Sequence, residues 1–280
     1  MRGAAVTSHW WESIIPEDTN PRDIDTSVPS VARIYDYWLG GKDNFAVDRK
    51  AAEQAIAAYP GIVRAVRIQR RFLARAVRHL ASERNVRQFL DIGTGIPTAS
   101  NTHEVAQSVA PESRVVYVDN DPMVLAHARA LLTGVTGPTA YVDADLRDTA
   151  KILAEAGRLL DFSQPVAVLL IGILHFVPDT DDPYRIVQTL MAATAPGSYL
   201  VISHPASDIR AEQVASMAER LNRLQETKGT LRSYTEVARF FDGLELIPPG
   251  LVQAHQWRPG SAAADSGEQT PGYCGVARKP

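Results

Sequence analysis

The residues best able to do chemistry fall in one stretch, Val86 to Asp121, VRQFLDIGTGIPTASNTHEVAQSVAPESRVVYVDND. Within it Asp91 stands just ahead of Gly93-Thr94-Gly95, and Asp119-Asn120 closes the stretch. Gly93 and Gly95 carry no Cβ, so the chain there can turn tightly and come close to a ligand, with Thr94 between them. Asp119 offers acceptors for both hydroxyls of a ribose, with Asn120 beside it. A carboxylate at Asp91 would repel phosphate but suits an ammonium or a sulfonium group. S-adenosylmethionine carries both, together with a ribose and a carboxylate. A dinucleotide fingerprint would need a third glycine at position 98, where Thr98 stands.

These residues need elements to hold them. Val86 to Ile92 is a short apolar run with branched and aromatic residues, the pattern of a buried strand. A helix from about Asn101 to Val109 follows the glycines, with Asn101 and Glu104 at capping-box spacing. Its first turn aims unpaired N–H groups and a positive dipole end at the loop. Arg114 to Val118 then forms the second strand and ends in Asp119. Strand, glycine loop, helix, strand and acid make half of a doubly wound α/β sheet.

The rest of the chain extends that sheet. Pro122 to Leu132 reads as a helix, and a third strand, Thr139 to Val142, leads into Asp143-Ala144-Asp145-Leu146. Asp145 lies on the same sheet edge as Asp119, where it faces an adenine amino group and the Leu146 N–H faces a ring nitrogen. After a helix at Ala150 to Leu160, Val166 to Ile171 is apolar throughout and belongs at the sheet centre. It empties into Gly172-Ile173-Leu174-His175. Gly172 joins the cofactor-binding set, and His175 is the candidate catalytic residue. As a general base, a pocket-lining ring or a structural histidine bonded to backbone, His175 fits the sequence equally. Helices follow at Asp182 to Ala195, Ala211 to Thr227 and Ser233 to Phe241. The remaining strands are Ser198 to Ser203, Leu244 to Ile247 and Tyr273 to Arg278, the last two antiparallel.

Ahead of the sheet, residues 1–23 form a loose arm and residues 24–84 a helical cap or lid; 85–280 is the binding domain. Ser27 caps a first helix carrying Pro29 in its first turn, with Val28, Val31, Tyr35, Trp38 and Leu39 on one face. Gly40-Gly41 ends that helix beside Lys42-Asp43-Asn44. This segment is either a lid or a helix docked on the sheet, and Tyr37 is the lid residue assigned to the cofactor. Residues 62–84 make a long helix with Val66, Leu73, Val77 and Leu80 on one side and Arg64, Arg67, Arg71, Arg75 and Arg78 on another. The basic stripe lacks interleaved aromatics, which argues for a solvated face over nucleic-acid binding.

Composition sets the class. The chain has 280 residues, 45% of them hydrophobic, enough for one α/β domain with an appendage. A net charge of −3 gives no general attraction to nucleic acid or anionic membrane. The single cysteine, Cys274, leaves no internal disulfide and fits a reducing compartment. The opening residues have no signal-peptide core, and the longest apolar run, Val166 to Val177, is too short to span a bilayer. The expectation is a cytoplasmic protein with no metal, whose oligomeric state the sequence does not set. The segment 260–272 is a small-residue surface loop.

The series Asp91, Gly93, Gly95, Asp119 and Asp145 resembles class I S-adenosylmethionine-dependent methyltransferases. ARIYDYWLGGKDNFAVDR (32–49) with FLDIGTGIPT (89–98) resembles more closely an actinobacterial S-adenosyl methyltransferase group formerly catalogued as a domain of unknown function. The resemblance covers about residues 24–280. It implies that Asp91, Gly93 and Gly95 meet the methionine part, Asp119 the ribose and Asp145 the adenine. Pro97 replaces the usual third glycine of the class, as in the subgroup. The expected fold is a Rossmann-like doubly wound sheet of about seven strands with an N-terminal helical cap. The expected reaction is methyl transfer to a small-molecule hydroxyl or amine. Two other functions fit parts of the pattern: a sensor that binds S-adenosylmethionine without turnover, and a nicotinamide-dependent oxidoreductase, which Asp91 and Thr98 disfavour.

Overall fold

Alternating short apolar runs and amphipathic helices give a parallel sheet covered on both faces, and the computed structural model has that architecture. It describes residues 24–132, 137–259 and 269–280; the arm at 1–23 and positions 260–268 of the surface loop lie outside the described residues. The strands are β1 (Gln88–Ile92), β2 (Arg114–Asp119), β3 (Thr139–Asp143), β4 (Ala167–Ile171), β5 (Tyr199–Pro205), β6 (Glu245–Leu246), β7 (Val252–Gln253) and β8 (Gly272–Arg278). Their order is β3-β2-β1-β4-β5-β8-β6, with β7 also paired to β8. The first five run parallel, and β8 runs antiparallel to β5, β6 and β7. The order reverses between β1 and β4, the switch point at which such sheets open a crevice for ligands. β7 is the strand beyond the expected seven; two residues are too few to show a periodicity of 2.

The helices are α1 (Val31–Leu39), α2 (Ala46–Ala58), α3 (Ile62–Glu83), α4 (Thr102–Val109), α5 (Pro122–Leu132), α6 (Thr149–Ala156), α7 (Pro183–Ala192), α8 (Ala211–Leu224) and α9 (Tyr234–Ala238). Alternate residues of each central strand serve opposite faces. Leu90, Val116, Val168 and Leu200 pack toward α6, α7 and Phe240-Phe241. Phe89, Val115, Leu169 and Val201 pack toward Phe72, Val77 and Leu80 of α3 and Val105 of α4. Burial on both sides explains why β4 reads as an unbroken apolar run.

A third apolar cluster forms the cap. Ile34 and Trp38 of α1, Ala51, Ala52 and Ala55 of α2, Val66 of α3 and Val214 and Met217 of α8 are buried together. α3 thus serves both layers, its first turns in the cap and the remainder on the sheet. The cap also holds a buried ion pair: Arg33 Nε lies 2.8 Å from Asp48 Oδ2, and Asp48 further accepts the N–H groups of Ser30 and Phe45. Removing one partner of such a pair strands a buried charge, at a cost of about 3–5 kcal/mol.

Several boundaries differ from the sequence reading. α1 starts at Val31 with Ser30 in the extended cap position, because the Ser27 N–H and hydroxyl are both taken by the Asp25 carboxylate. α8 ends at Leu224 rather than Thr227: Gln225 is extended, and the Lys228 ammonium reaches back to the carbonyls of Asn222 and Gln225. The capping boxes at Asn101/Glu104 and Ser233/Glu236 are both formed. Among the described residues no helix is long and apolar enough to cross a membrane.

Candidate active site

Parallel register sets the site. β1, β2 and β4 align Asp91 with Tyr117 and with Leu169, while Ile171 pairs with Ser203 on β5. The exits of five strands therefore share one edge, and a cavity of about 640 Å³ opens there. Asp91, Gly93, Thr94, Gly95, Asp119, Asn120, Asp145, Leu146, Gly172 and His175 all line it.

The glycine loop is held by backbone. Gly93 N–H donates to Val118 O at 2.8 Å, hooking the loop over β2. Gly93 and Gly95 have φ of +74° and +68°, the left-handed region that favours glycine. A Cβ on Gly93 would lie 2.5 Å from Ile173 Cγ1, whereas one on Gly95 would meet nothing within 4 Å. Gly95 is thus open to a ligand, and its N–H donates to Asp119 Oδ2 at 2.8 Å. Asp119 Oδ1 accepts the Asp121 N–H at 3.0 Å. Burial pushes the Asp119 carboxyl up to about 6 despite these donors. Asp91, buried beneath the loop, accepts the Thr102 hydroxyl of α4 at 2.6 Å and is likewise pushed up to about 6 by burial. Two desolvated carboxyls at one edge favour a cationic, hydroxyl-rich ligand.

At the far end Asn120 Nδ2 donates to Asp145 Oδ2 at 3.1 Å. Arg147 binds the same carboxylate through its N–H at 2.8 Å and its Nη1 at 3.1 Å, and Asp181 through Nε at 2.7 Å. Asp145 is therefore a braced group at the cavity rim.

Tyr37 does not belong to this set. Its hydroxyl donates to Glu53 Oε1 on α2 at 2.5 Å, outside the cavity wall. Tyr35 lines the cavity in its place, together with Trp38. Two residues apart on a helix cannot share a face, whereas Tyr35 and Trp38, three apart, do, with ring centroids 6.4 Å apart. The Tyr35 hydroxyl donates to Gln69 Oε1 at 3.0 Å, and Gln69 Nε2 donates to Ser203 Oγ at 2.6 Å. Gln69 sits over Gly172, whose φ is +66°; a Cβ there would lie 2.5 Å from Gln69 Nε2.

Beyond Gly172 the cavity reaches His175, in the 3-10 turn Leu174–Phe176, and Ser203 and His204 at the end of β5. His175 Nδ1 is buried without a hydrogen-bond partner, which leaves Nε2 as the ring nitrogen able to meet a ligand. Burial, then His204 and Arg232, hold the ring well below the ordinary imidazole range. It is neutral at neutral pH and can accept a proton.

Gln69, Arg70, Ser203 and His204, which also line the cavity, were not legible as site residues. Gln69 and Arg70 did carry a signal: they follow Val66 by three and four positions and so interrupt the apolar face of α3. Arg70 lines the cavity, and its Nε is buried without a hydrogen-bond partner. Among the described residues no group of three or more His, Cys, Asp or Glu is placed to hold a metal.

A doubly wound sheet whose switch-point loop joins an open glycine backbone to one buried and one half-buried carboxylate defines a Rossmann-like nucleoside-binding protein. The comparisons narrow that class. The S-adenosyl methyltransferase family model matches residues 17–280, and the chain belongs to that family. A crystal structure of a DUF574-family protein from Streptomyces avermitilis is similar at 46% identity and TM-score 0.88, covering 92% of this chain and all of that one. A candidate methyltransferase from Thermobifida fusca is similar at 41% identity and TM-score 0.86, covering 93% and 98% of the two chains. No curated protein matches. The cofactor is S-adenosylmethionine, and the residues present fit it: open backbone at Gly95, carboxylates at Asp91 and Asp119, and the buried, unpartnered Nε of Arg70.

Proposed function

We propose that this S-adenosylmethionine-dependent methyltransferase acts on a hydroxyl or amine of a small molecule. The observation that carries the reading is the continuity of one cavity, from Asp145 past the glycine loop to His175, roofed by α1 and α8. When bound, S-adenosylmethionine supplies an electrophilic methyl on its sulfonium. Asp119 and Asn120 hold the ribose, Asp145 and the Leu146 N–H the adenine, and Asp91 the ammonium. Arg70 receives the carboxylate by a charge-assisted contact. Gly93, Thr94 and Gly95 present backbone, and Gly172 lines the same cavity while making room for the Gln69 amide. His175 takes the proton of an acceptor hydroxyl at Nε2.

Methyl transfer is favoured when water is kept out and the acceptor is held in line. Residues 24–84 would provide that cover over the domain at 85–280, with α1 as the mobile part. Calorimetry tests the cofactor site: S-adenosylhomocysteine binds and NAD does not. Asp119→Ala weakens that binding roughly ten- to hundredfold, since hydrogen bonds to a charged group contribute about 1.5–3 kcal/mol. NAD binding without adenosyl binding, or unchanged affinity in Asp119→Ala, would contradict the assignment.

A further inference from the structure

Arg232 is 1% exposed and stands outside the cavity wall, yet its guanidinium is spent on the segment that carries His175. Nη1 donates to Leu174 O at 3.1 Å and Nη2 to Val177 O at 2.8 Å, carbonyls on either side of His175. Nη2 also meets Asp179 Oδ1 at 2.7 Å. The remaining reach of Nη1 is to His204 Nε2 at 2.9 Å. His204 Nδ1 lies 2.8 Å from Pro205 O, so Nδ1 carries the proton and Nε2 is the lone-pair side that Arg232 fills. His204 therefore has both nitrogens engaged. The His175 ring, with its centroid 6.0 Å away, does not.

The backbone of Arg232 is fixed as firmly as its side chain. Thr230 N–H donates to His175 O at 2.7 Å, and Ser207 N–H donates to Arg232 O at 3.0 Å. Arg232 forms an isolated parallel bridge with Ala206, and the capping box of α9 begins at the next residue. The segment 230–232 thus staples the exit of β4 to the exit of β5. A fixed guanidinium with two carbonyls, one carboxylate and one imidazole is a rigid fork that a lysine cannot copy.

We propose that Arg232 is the positioning residue for the catalytic histidine: its fork fixes the β4 exit segment through the carbonyls flanking His175 and occupies His204, so that His175 alone of the two rings is free for the acceptor. The proposal rests on the reading of His175 as the proton acceptor. The groups facing the pair are Arg232 itself, Asp179 beyond it on the β4 exit segment, Tyr184 on α7 and Glu236 on α9. Burial first, then His204 and last Arg232, depresses His175; burial, aided by Arg232, depresses His204 to about 4.

Diethyl pyrocarbonate, which acylates an accessible unprotonated imidazole nitrogen, tests this without knowledge of the acceptor. The full-length protein is treated and the modified histidines are mapped by mass spectrometry. In the unaltered protein His175 is modified and His204 is not, at a His175 rate that is flat between about pH 5.5 and about pH 7.5. In Arg232→Gln, His204 becomes reactive and the His175 rate changes as its segment loosens, while its pH profile stays flat because burial, the first cause of its low value, remains. Arg232→Lys keeps the charge without the fork, so His204 stays reactive and the His175 rate is altered as in Arg232→Gln. If Arg232→Gln does not fold, the reactivity of His204 in Arg232→Lys decides. An unaltered pattern in the folded variants, or equal reactivity of the two rings in the unaltered protein, would overturn the proposal. S-adenosylhomocysteine binding, measured on the same samples, is unchanged in the variants. Its absence from the unaltered protein would instead overturn the cofactor reading, leaving the histidine pattern to be judged by itself.

Discussion

Asp91 and Asp119, the carboxylates proposed for the ammonium and the ribose, are costly to the protein that keeps them. Asp91 is buried and Asp119 half-buried, and each carboxyl is pushed up to about 6, mainly by loss of solvent. A carboxyl whose pKa rises on folding stabilises the native state fully below its unfolded value of 3.8. That contribution is lost as pH rises through about 6. Ligand binding has the opposite sign, because the ammonium and the ribose hydroxyls need the ionised carboxylates. The expected outcome is that affinity for S-adenosylhomocysteine falls by about tenfold per contributing carboxylate between pH 7 and pH 5. Calorimetry at several pH values checks this, and a flat profile would mean that neither carboxyl touches the ligand. These residues were legible because a strand ending in an acid is a local pattern. Tyr37 was misassigned although the spacing of Tyr35 and Trp38 already placed them together. Arg232 was invisible because its partners, Leu174, Val177, Asp179 and His204, are brought to it only by the fold.

At the scale of elements, α1 and the turn after it carry the question of a lid. The Asp36 carboxylate accepts the Asp43 N–H at 3.0 Å and Asn44 Nδ2 at 2.8 Å, so the turn is knotted from within. A Cβ at Gly41 would overlap that carboxylate, 1.8 Å from Oδ1, which is why glycine stands there. The knot is tied to the neighbouring layer by His127 Nε2, 3.1 Å from Asp43 Oδ2, and Ser30 Oγ donates to Asp121 Oδ2 beside the ribose site. Tyr35 reaches β5 through Gln69. A segment anchored through side chains at the ligand's edge should order further when the ligand is present. Hydrogen exchange is expected to show rising protection of residues 30–45 on adding S-adenosylmethionine. Equal protection with and without it, together with unchanged affinity in Tyr35→Ala, would make α1 a docked helix and nothing more. Helix existence was legible from periodicity, but end points were not: the starts of α1 and the end of α8 depend on which side chain captures the backbone first.

At the scale of the molecule, a sheet buried on both faces supplies rigidity, while one edge opens a single cavity proposed for both cofactor and acceptor. The parallel run of the first five strands followed from the sequence because strands alternate with helices there. The antiparallel strands at 244–247 and 273–278 were legible too and appear as β6 and β8, whereas β7 was not, since a two-residue strand depends wholly on tertiary contacts. The central claim is that this cavity moves a methyl group onto a small molecule. It is tested most directly by incubating the protein with S-adenosylmethionine labelled in its methyl group and a metabolite extract, then separating the labelled products by size. The account predicts label in a low-molecular-weight product, its loss in Asp119→Ala and a marked reduction in His175→Ala. Tight binding of the cofactor with no label leaving it, or label appearing only in macromolecules, would contradict it.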